Sequence, residues 1–171
     1  MLKDSELVFK LKTRNVEKLK LSDVDRSHLQ AAEGWLALGS WAEANEELEN
    51  ITPTLRAHPE VLFMRTRVYA AAERWTVVLE LLDKVTDFLP KRVDPWLLWA
   101  RAYAELGDSD MALETLSSVV DEFDQYPEVH YQMARYAAGA GDLKRAYTCL
   151  MNAFERSGDG RWTIKRWSRF G

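Results

Sequence analysis

The chain is poor in the residues that staple or interrupt a fold. Its 171 residues include one cysteine, five prolines and eight glycines. A lone thiol, Cys149, excludes an intramolecular disulfide framework and suits a reducing compartment, so a cytoplasmic setting is expected. With so little proline and glycine and no low-complexity segment, no flexible interdomain linker is expected either. No apolar run approaches the roughly 20 residues of a membrane helix, and the N-terminus lacks the unbroken apolar stretch of a secretion signal. Excess positive charge is also missing. The formal charge is −4 and the pI is near 5.5, which argues against nucleic acid as main partner because phosphate binding needs a concentrated positive field.

The average conceals an asymmetry. Residues 1–20 hold six Lys/Arg against three Asp/Glu, residues 144–171 hold seven against two, and the middle holds ten against 22. Basic ends flank an acidic body.

What the chain does have is a period. Gly39, Glu73, Gly107 and Gly141 are each 34 apart, and each follows an apolar-periodic stretch that predicts a helix. Three of these four ends carry glycine, which tolerates the left-handed conformation that closes helices. A second helix signal follows each: Ser40 to Glu43 has capping-box spacing, and Asp108 and Asp142 are placed to accept first-turn amides. The first helices start in step as well. Pro59 and Pro127 are two periods apart, and Asp94-Pro95 sits near the intermediate start, where a first-turn proline is tolerated.

Columns of the period test whether it reflects packing. Ala44, Val78, Ala112 and Ala146 form one; Leu48, Leu82, Leu116 and Leu150 a second; Ile51, Val85, Val119 and Ala153 a third. These share one face of the second helix, and the small column permits close approach of the first. Ala32, Thr66, Ala100 and Ala134 form the facing small column, and Trp35, Tyr69, Tyr103 and Ala137 follow three residues later. Small against large is what interdigitated packing requires.

This pattern resembles the tetratricopeptide repeat (TPR). Trp96, Ala100, Tyr103, Gly107, Ala112, Leu116 and Val119 match that family's signature spacing most fully, and the resemblance spans residues 25–158. The other repeats depart from it: His28, Leu62 and His130 stand in the Trp96 position, Arg65 occupies a usually apolar place, and the proline common near the repeat end survives only as Pro90. The resemblance implies an all-α, right-handed superhelix of about four helix–turn–helix repeats (25–58, 59–92, 93–126 and 127–160) with a C-terminal capping helix. Residues 1–24 do not continue the period, since Lys10 and Arg14 fall on apolar columns. They are expected to cap the first repeat, a partner-binding arm being the alternative. Residues 161–171 do continue it, as the start of the capping helix, with Ile164 and Trp167 as core side chains.

In such proteins the first helices line the concave side, where partners lie. Carried over by position, the lining includes Phe63, Leu97 and Tyr131, with Met64 and Leu98 beside them and Leu29 and Glu33 in the first repeat. Four residues after each of the three comes Arg67, Arg101 and Arg135, and Arg169 is the next member of that column. The function expected is a protein-interaction adaptor whose groove receives an acidic or apolar-acidic peptide, since the arginine fork binds carboxylates bidentately. In a competing reading these arginines only pair with Glu33, Glu60, Asp94, Glu105 and Glu128. The Lys/Asn clamp by which some TPR proteins hold a free C-terminal carboxylate is absent, because Leu29, Glu33, Met64, Asp94 and Leu98 stand at its positions.

No chemistry is predicted. His28 and His130 occupy a packing column, His58 precedes a helix-starting proline, and none has a spaced metal-ligand or triad partner. Cys149 reads as an inert half-buried thiol. The acidic groups Glu43/Glu46/Glu47/Glu49 and Asp121/Glu122/Asp124 read as solvated faces and helix ends. No glycine-rich phosphate loop is present. The expectation is therefore no enzyme, no cofactor and no metal, with a protein or peptide as partner and neither nucleic acid nor membrane. Two other readings stay open: a bacterial secretion-type chaperone holding an unfolded exported protein, and a self-associating structural unit.

Overall fold

The structure, a computed structural model, describes residues 20–158, and among these it is all-helical. The order is α1 Asp23–Ala37, α2 Trp41–Glu49, a short 3-10 turn Pro53–Leu55, α3 Pro59–Ala71, α4 Trp75–Phe88, α5 Val93–Glu105, α6 Ser109–Ser117, α7 Pro127–Gly139 and α8 Leu143–Arg156. The expected N-terminal cap, up to residue 19, and the expected C-terminal capping helix lie outside the described residues.

The four corners of the period are the four left-handed residues within the helical region: Gly39 (φ 79°), Glu73 (φ 56°), Gly107 (φ 88°) and Gly141 (φ 85°). In each, the residue after the corner donates its amide back to a carbonyl five residues earlier, as in Ser40→Trp35 (2.9 Å) and Asp108→Tyr103 (2.9 Å). That closure satisfies carbonyls at the helix end and turns the chain into the second helix. Glu73 does the same work with a β-carbon that crowds the backbone.

The second-helix caps divide by reach. Asp108 accepts from the Met111 amide and Asp142 from the Arg145 amide, both at 2.9 Å. Ser40, expected to form a capping box with Glu43, makes no side-chain cap. Its backbone has the ψ of these corners (72°, against 78° at Asp108), whereas Ser22, with an extended ψ of 166°, does build a capping box. From the corner geometry a carboxylate reaches the first-turn amide and the shorter serine hydroxyl does not.

That Ser22 box is tied into tertiary structure. Asp25 is buried, accepts from the Ser22 hydroxyl at 2.5 Å, and accepts the Thr52 amide at 2.8 Å. One carboxylate thus closes the start of α1 and holds the turn after α2.

Two compact units divide the chain at Pro90/Lys91. In the first, Ala32, Ala44, Leu48, Ile51, Leu55, Val61, Met64 and Val68 form the core, with Leu21, Leu29 and Leu36 packed against it. In the second, Leu97, Ala100, Ala112, Leu113, Leu116, Phe123, Val129 and Met133 belong to one cluster that continues into Ala134, Tyr136, Ala137 and Cys149. The column residues Ala44, Leu48 and Ile51, and likewise Val78, Leu82 and Val85, are fully buried. Thr66 fits the small column because its hydroxyl donates to the Leu62 carbonyl at 2.7 Å, which satisfies the polar atom inside its own helix.

The corners and the capping box each carry a prediction. Glu73→Gly relieves the crowded β-carbon and is expected to raise unfolding stability by up to about 1 kcal/mol, while Gly107→Ala lowers it by a similar amount; urea titrations of the two variants read both. Asp25 is held down to a pKa of about 2, chiefly by the Ser22 hydroxyl and then by the Thr52 amide, against the opposing effect of burial. A depressed folded-state pKa means that the unfolded chain takes up the proton first, so the contribution is complete above roughly pH 4 and is lost as pH falls towards 2. The stability gap between wild type and Asp25→Asn is therefore expected to be constant near neutrality and to close below pH 4.

Candidate partner-binding site

The residues expected to meet a partner come from the first helix of each pair. α3 carries Phe63, Met64 and Arg67 in the first unit; α5 carries Leu97, Leu98 and Arg101 and α7 carries Tyr131 and Arg135 in the second. Arg169 lies outside the described residues. The apolar members sit deeper than the sequence implied: Phe63 is only 5% exposed, Met64 and Leu97 are also buried, and Leu98 and Tyr131 are half-buried. Within each unit these side chains are recessed rather than protruding. Periodicity identifies the face of a helix but not how far a neighbour's side chains cover it.

Each arginine has a different neighbour. Arg67 donates to Glu33 at 3.0 Å, across one full period, and approaches the Met64 sulfur at 3.8 Å. Arg101 donates to Glu105 at 3.3 Å, one turn along α5. Arg135 is exposed and donates to the neutral amide oxygen of Gln132 at 3.0 Å. Glu33 and Glu105 are among the partners that the ion-pair reading expects; Gln132 is not.

In the second unit Arg101 and Arg135 act on one group. The hydroxyl of buried Tyr136 is pushed up to a pKa of about 12 by burial, while Arg135 and then Arg101 pull it down and Glu105 pushes it up. The phenol therefore stays neutral and able to donate. It supplies no acid or base near neutral pH.

Other polar groups are structural. His130 is buried, and its Nε2 donates to the Asp124 carbonyl at 3.0 Å, with the Asp124 carboxylate at 3.3 Å. Arg156 donates to that carboxylate at 2.6 Å and is the main cause of its depressed pKa. The trio pins the loop after α6 to α7 and α8. Its members are separated by 6 and 32 residues, so no local spacing announced it. His28 meets Glu47 at 2.8 Å, and His58 caps α3 through the Glu60 amide at 3.3 Å, its pKa lowered by burial. Burial pushes the Cys149 thiol up, opposite to what a nucleophile needs. Among the described residues no cluster of three or more His, Cys, Asp or Glu is placed to hold a metal ion, and no helix is long and apolar enough to cross a membrane.

Solved structures with this arrangement define the class. The chain is similar to a MamA protein from Desulfovibrio magneticus RS-1 (residues 41 to the end; 17% identity, 88% of this chain and 85% of that one, TM-score 0.66). It is also similar to TTC0263, a thermophilic TPR protein in Thermus thermophilus (20%, 77% and 73%, TM-score 0.66). A third is YrrB, described as a TPR protein with an unusual peptide-binding site (17%, 79% and 70%, TM-score 0.64). The fold is that of a tetratricopeptide-repeat protein. Residues 1–164 match the family described as "T7SS, ESX-1 secretion system protein EccA1, N-terminal domain", and the chain belongs to that family. No curated protein sequence matches it. Fold and family together support a protein-interaction scaffold in general terms.

A ligand can recruit these arginines only if their present bonds are cheap to break. Glu33 and Arg67 are both well exposed, so a double-mutant cycle with Glu33→Ala and Arg67→Ala is expected to give a coupling energy below about 1 kcal/mol. A value of several kcal/mol marks the pair as a fixed strut.

Proposed function

We propose that this chain is an adaptor of a type VII secretion apparatus that binds an acidic or apolar-acidic protein segment through its first-helix faces. In the first unit Arg67 receives a carboxylate, with Phe63 and Met64 as the apolar residues; in the second Arg101 and Arg135 do so, with Leu97, Leu98 and Tyr131, and Arg169 is the next member of the column. What carries the reading is Arg135. It is exposed, and its hydrogen-bond partner among the described residues is a neutral amide, so its charge is open to an incoming carboxylate. Arg101 stands one period before it, on α5, so a segment with two carboxylates has two cations to meet in this unit. Family membership supplies the setting: the segment belongs to a component or a client of the secretion machinery.

The same membership favours one second reading, a chaperone that holds an exported protein unfolded. The two differ in what they bind. An adaptor recognises a defined segment whether or not its owner is folded, and a holding chaperone binds only the unfolded client.

The test compares wild type with the Arg67→Glu/Arg101→Glu/Arg135→Glu variant after circular dichroism has shown equal helicity. Partners are captured from native extract, and the captured segment is then titrated as a synthetic peptide. Charge-assisted hydrogen bonds of about 1.5–3 kcal/mol each make the expected loss at least ten- to a hundredfold, and wild-type binding weakens with salt. Equal binding by the variant removes the arginines from the site.

A further inference from the structure

Five polar or charged side chains are buried among the described residues: Asp25, Thr66, Thr86, His130 and Gln132. The first four are tied to a backbone group. Asp25 accepts the Thr52 amide, Thr66 and Thr86 donate to the carbonyls of Leu62 and Leu82, and His130 donates to that of Asp124. Gln132 is the exception. It is 5% exposed, and its Oε1 accepts from Arg135 Nη1 at 3.0 Å, which turns its NH2 group away with no hydrogen-bond partner among the described residues. Tyr136 is 6% exposed, and its hydroxyl has no partner among them either. Neither group is sealed in. Among the described residues, the fully buried side-chain nitrogens and oxygens without a partner are Trp99 Nε1 and Arg156 Nε, so both of these donors open onto the surface.

The repeat makes their placement unusual. One and two periods earlier, the Gln132 position holds Leu98 and Met64, and the Tyr136 position holds Ala102 and Val68. Packing there needs no polar atom, and a recessed donor without a partner costs free energy. Gln132, Arg135 and Tyr136 stand at i, i+3 and i+4 along α7, so they share one helix face. Burial keeps the phenol protonated, with a pKa pushed up to about 12, and Arg135 is exposed beside it in sequence. Glu105, the carboxylate that acts on the phenol from α5, is itself held by Arg101 at 3.3 Å.

We propose that Gln132, Arg135 and Tyr136 form a seat for one side-chain carboxylate of a partner, in which Arg135 supplies the charge and the Gln132 NH2 and Tyr136 hydroxyl supply two neutral donors. The seat rests on the reading of Arg135 as a carboxylate receptor and adds to it the two residues that select the group. A carboxylate only accepts, with about four lone-pair sites, and can take all three donors. A carboxamide of the same shape offers one oxygen and brings N–H donors to a face that is itself donating.

The probe is a leucine–glutamate–leucine tripeptide, acetylated and amidated so that its one carboxylate is the side chain's, with leucine–glutamine–leucine as control. Titrations of the isotope-labelled full chain are read by NMR at the Gln132 side-chain NH2 and Arg135 Nε–H signals. Saturable shifts with the glutamate peptide are expected, and roughly tenfold or weaker binding of the glutamine peptide. Tyr136→Phe and Gln132→Met each weaken the glutamate peptide by about three- to tenfold, the worth of one hydrogen bond, and preserve its salt dependence. Arg135→Gln weakens it and flattens that dependence. Because Tyr136→Phe removes no internal bond, it unfolds at the same urea concentration as wild type, which separates lost binding from lost folding. Equal affinity of wild type, Tyr136→Phe and Gln132→Met overturns the seat and leaves the arginine reading standing. Absence of saturable shifts, or equal affinity for the two peptides, overturns it as well. Unchanged binding by Arg135→Gln removes Arg135 from the site and sinks both.

Discussion

Close approach of the two helices in each pair is the constraint on which the remainder of this protein depends. Helix axes come within about 8–10 Å only where the side chains between them are small enough. Here Ala32 and Thr66 in the first unit, and Ala100 and Ala134 in the second, supply that side of the contact on the first helices, while Ala44, Val78 and Ala112 supply it on the second. A larger residue in either column forces the helices apart and uncovers the leucines one turn further on. The pair still buries only part of its apolar surface, and neighbouring pairs must cover the rest, which is why such architectures are stable as stacks and not as single units.

Charge is arranged around that packing rather than within it. The buried carboxylate, Asp25, is fully engaged by a hydroxyl and an amide, and the buried histidine, His130, has a carbonyl to donate to. Buried polar groups with partners hold specific turns in place at little cost. Arg67 and Arg135 are different: one bonds to an exposed carboxylate and the other to a neutral amide, and exposed pairs of this kind are worth at most about 1 kcal/mol.

The sequence shows the repeat clearly because the period is a property of many residues at once. Four corners 34 apart and three apolar columns agree, and the left-handed backbone at Gly39, Glu73, Gly107 and Gly141 follows from them. Contacts without a period were not legible. The Asp25 carboxylate that bonds Thr52 within the first repeat and the His130–Asp124–Arg156 trio between the third and fourth are not matched in sequence one period away, so no column announced them. Ser22-x-x-Asp25 did carry a capping-box signal in plain view, although nothing local says that Asp25 also reaches Thr52. The failed box at Ser40 has the opposite cause: spacing gives the residues but not the ψ angle that aims the hydroxyl. At the candidate site the face was readable and the depth was not, so Phe63 and Leu97 lie lower than periodicity implied.

The corners also govern how this sequence can change length. Each residue added inside a helix rotates everything beyond it by about 100° relative to the core, which exchanges buried for exposed positions down to the next irregular stretch. The three-residue corners have no slack to absorb such a shift, because one left-handed residue and one backward amide bond define each of them. The longer connections do: residues 50–58 between α2 and α3, and 118–126 between α6 and α7, can lose or gain a residue without turning either flanking helix. Insertions and deletions in natural variants of this chain should therefore gather in those two connections, and the distance from one corner to its own second helix should stay fixed even where side chains diverge.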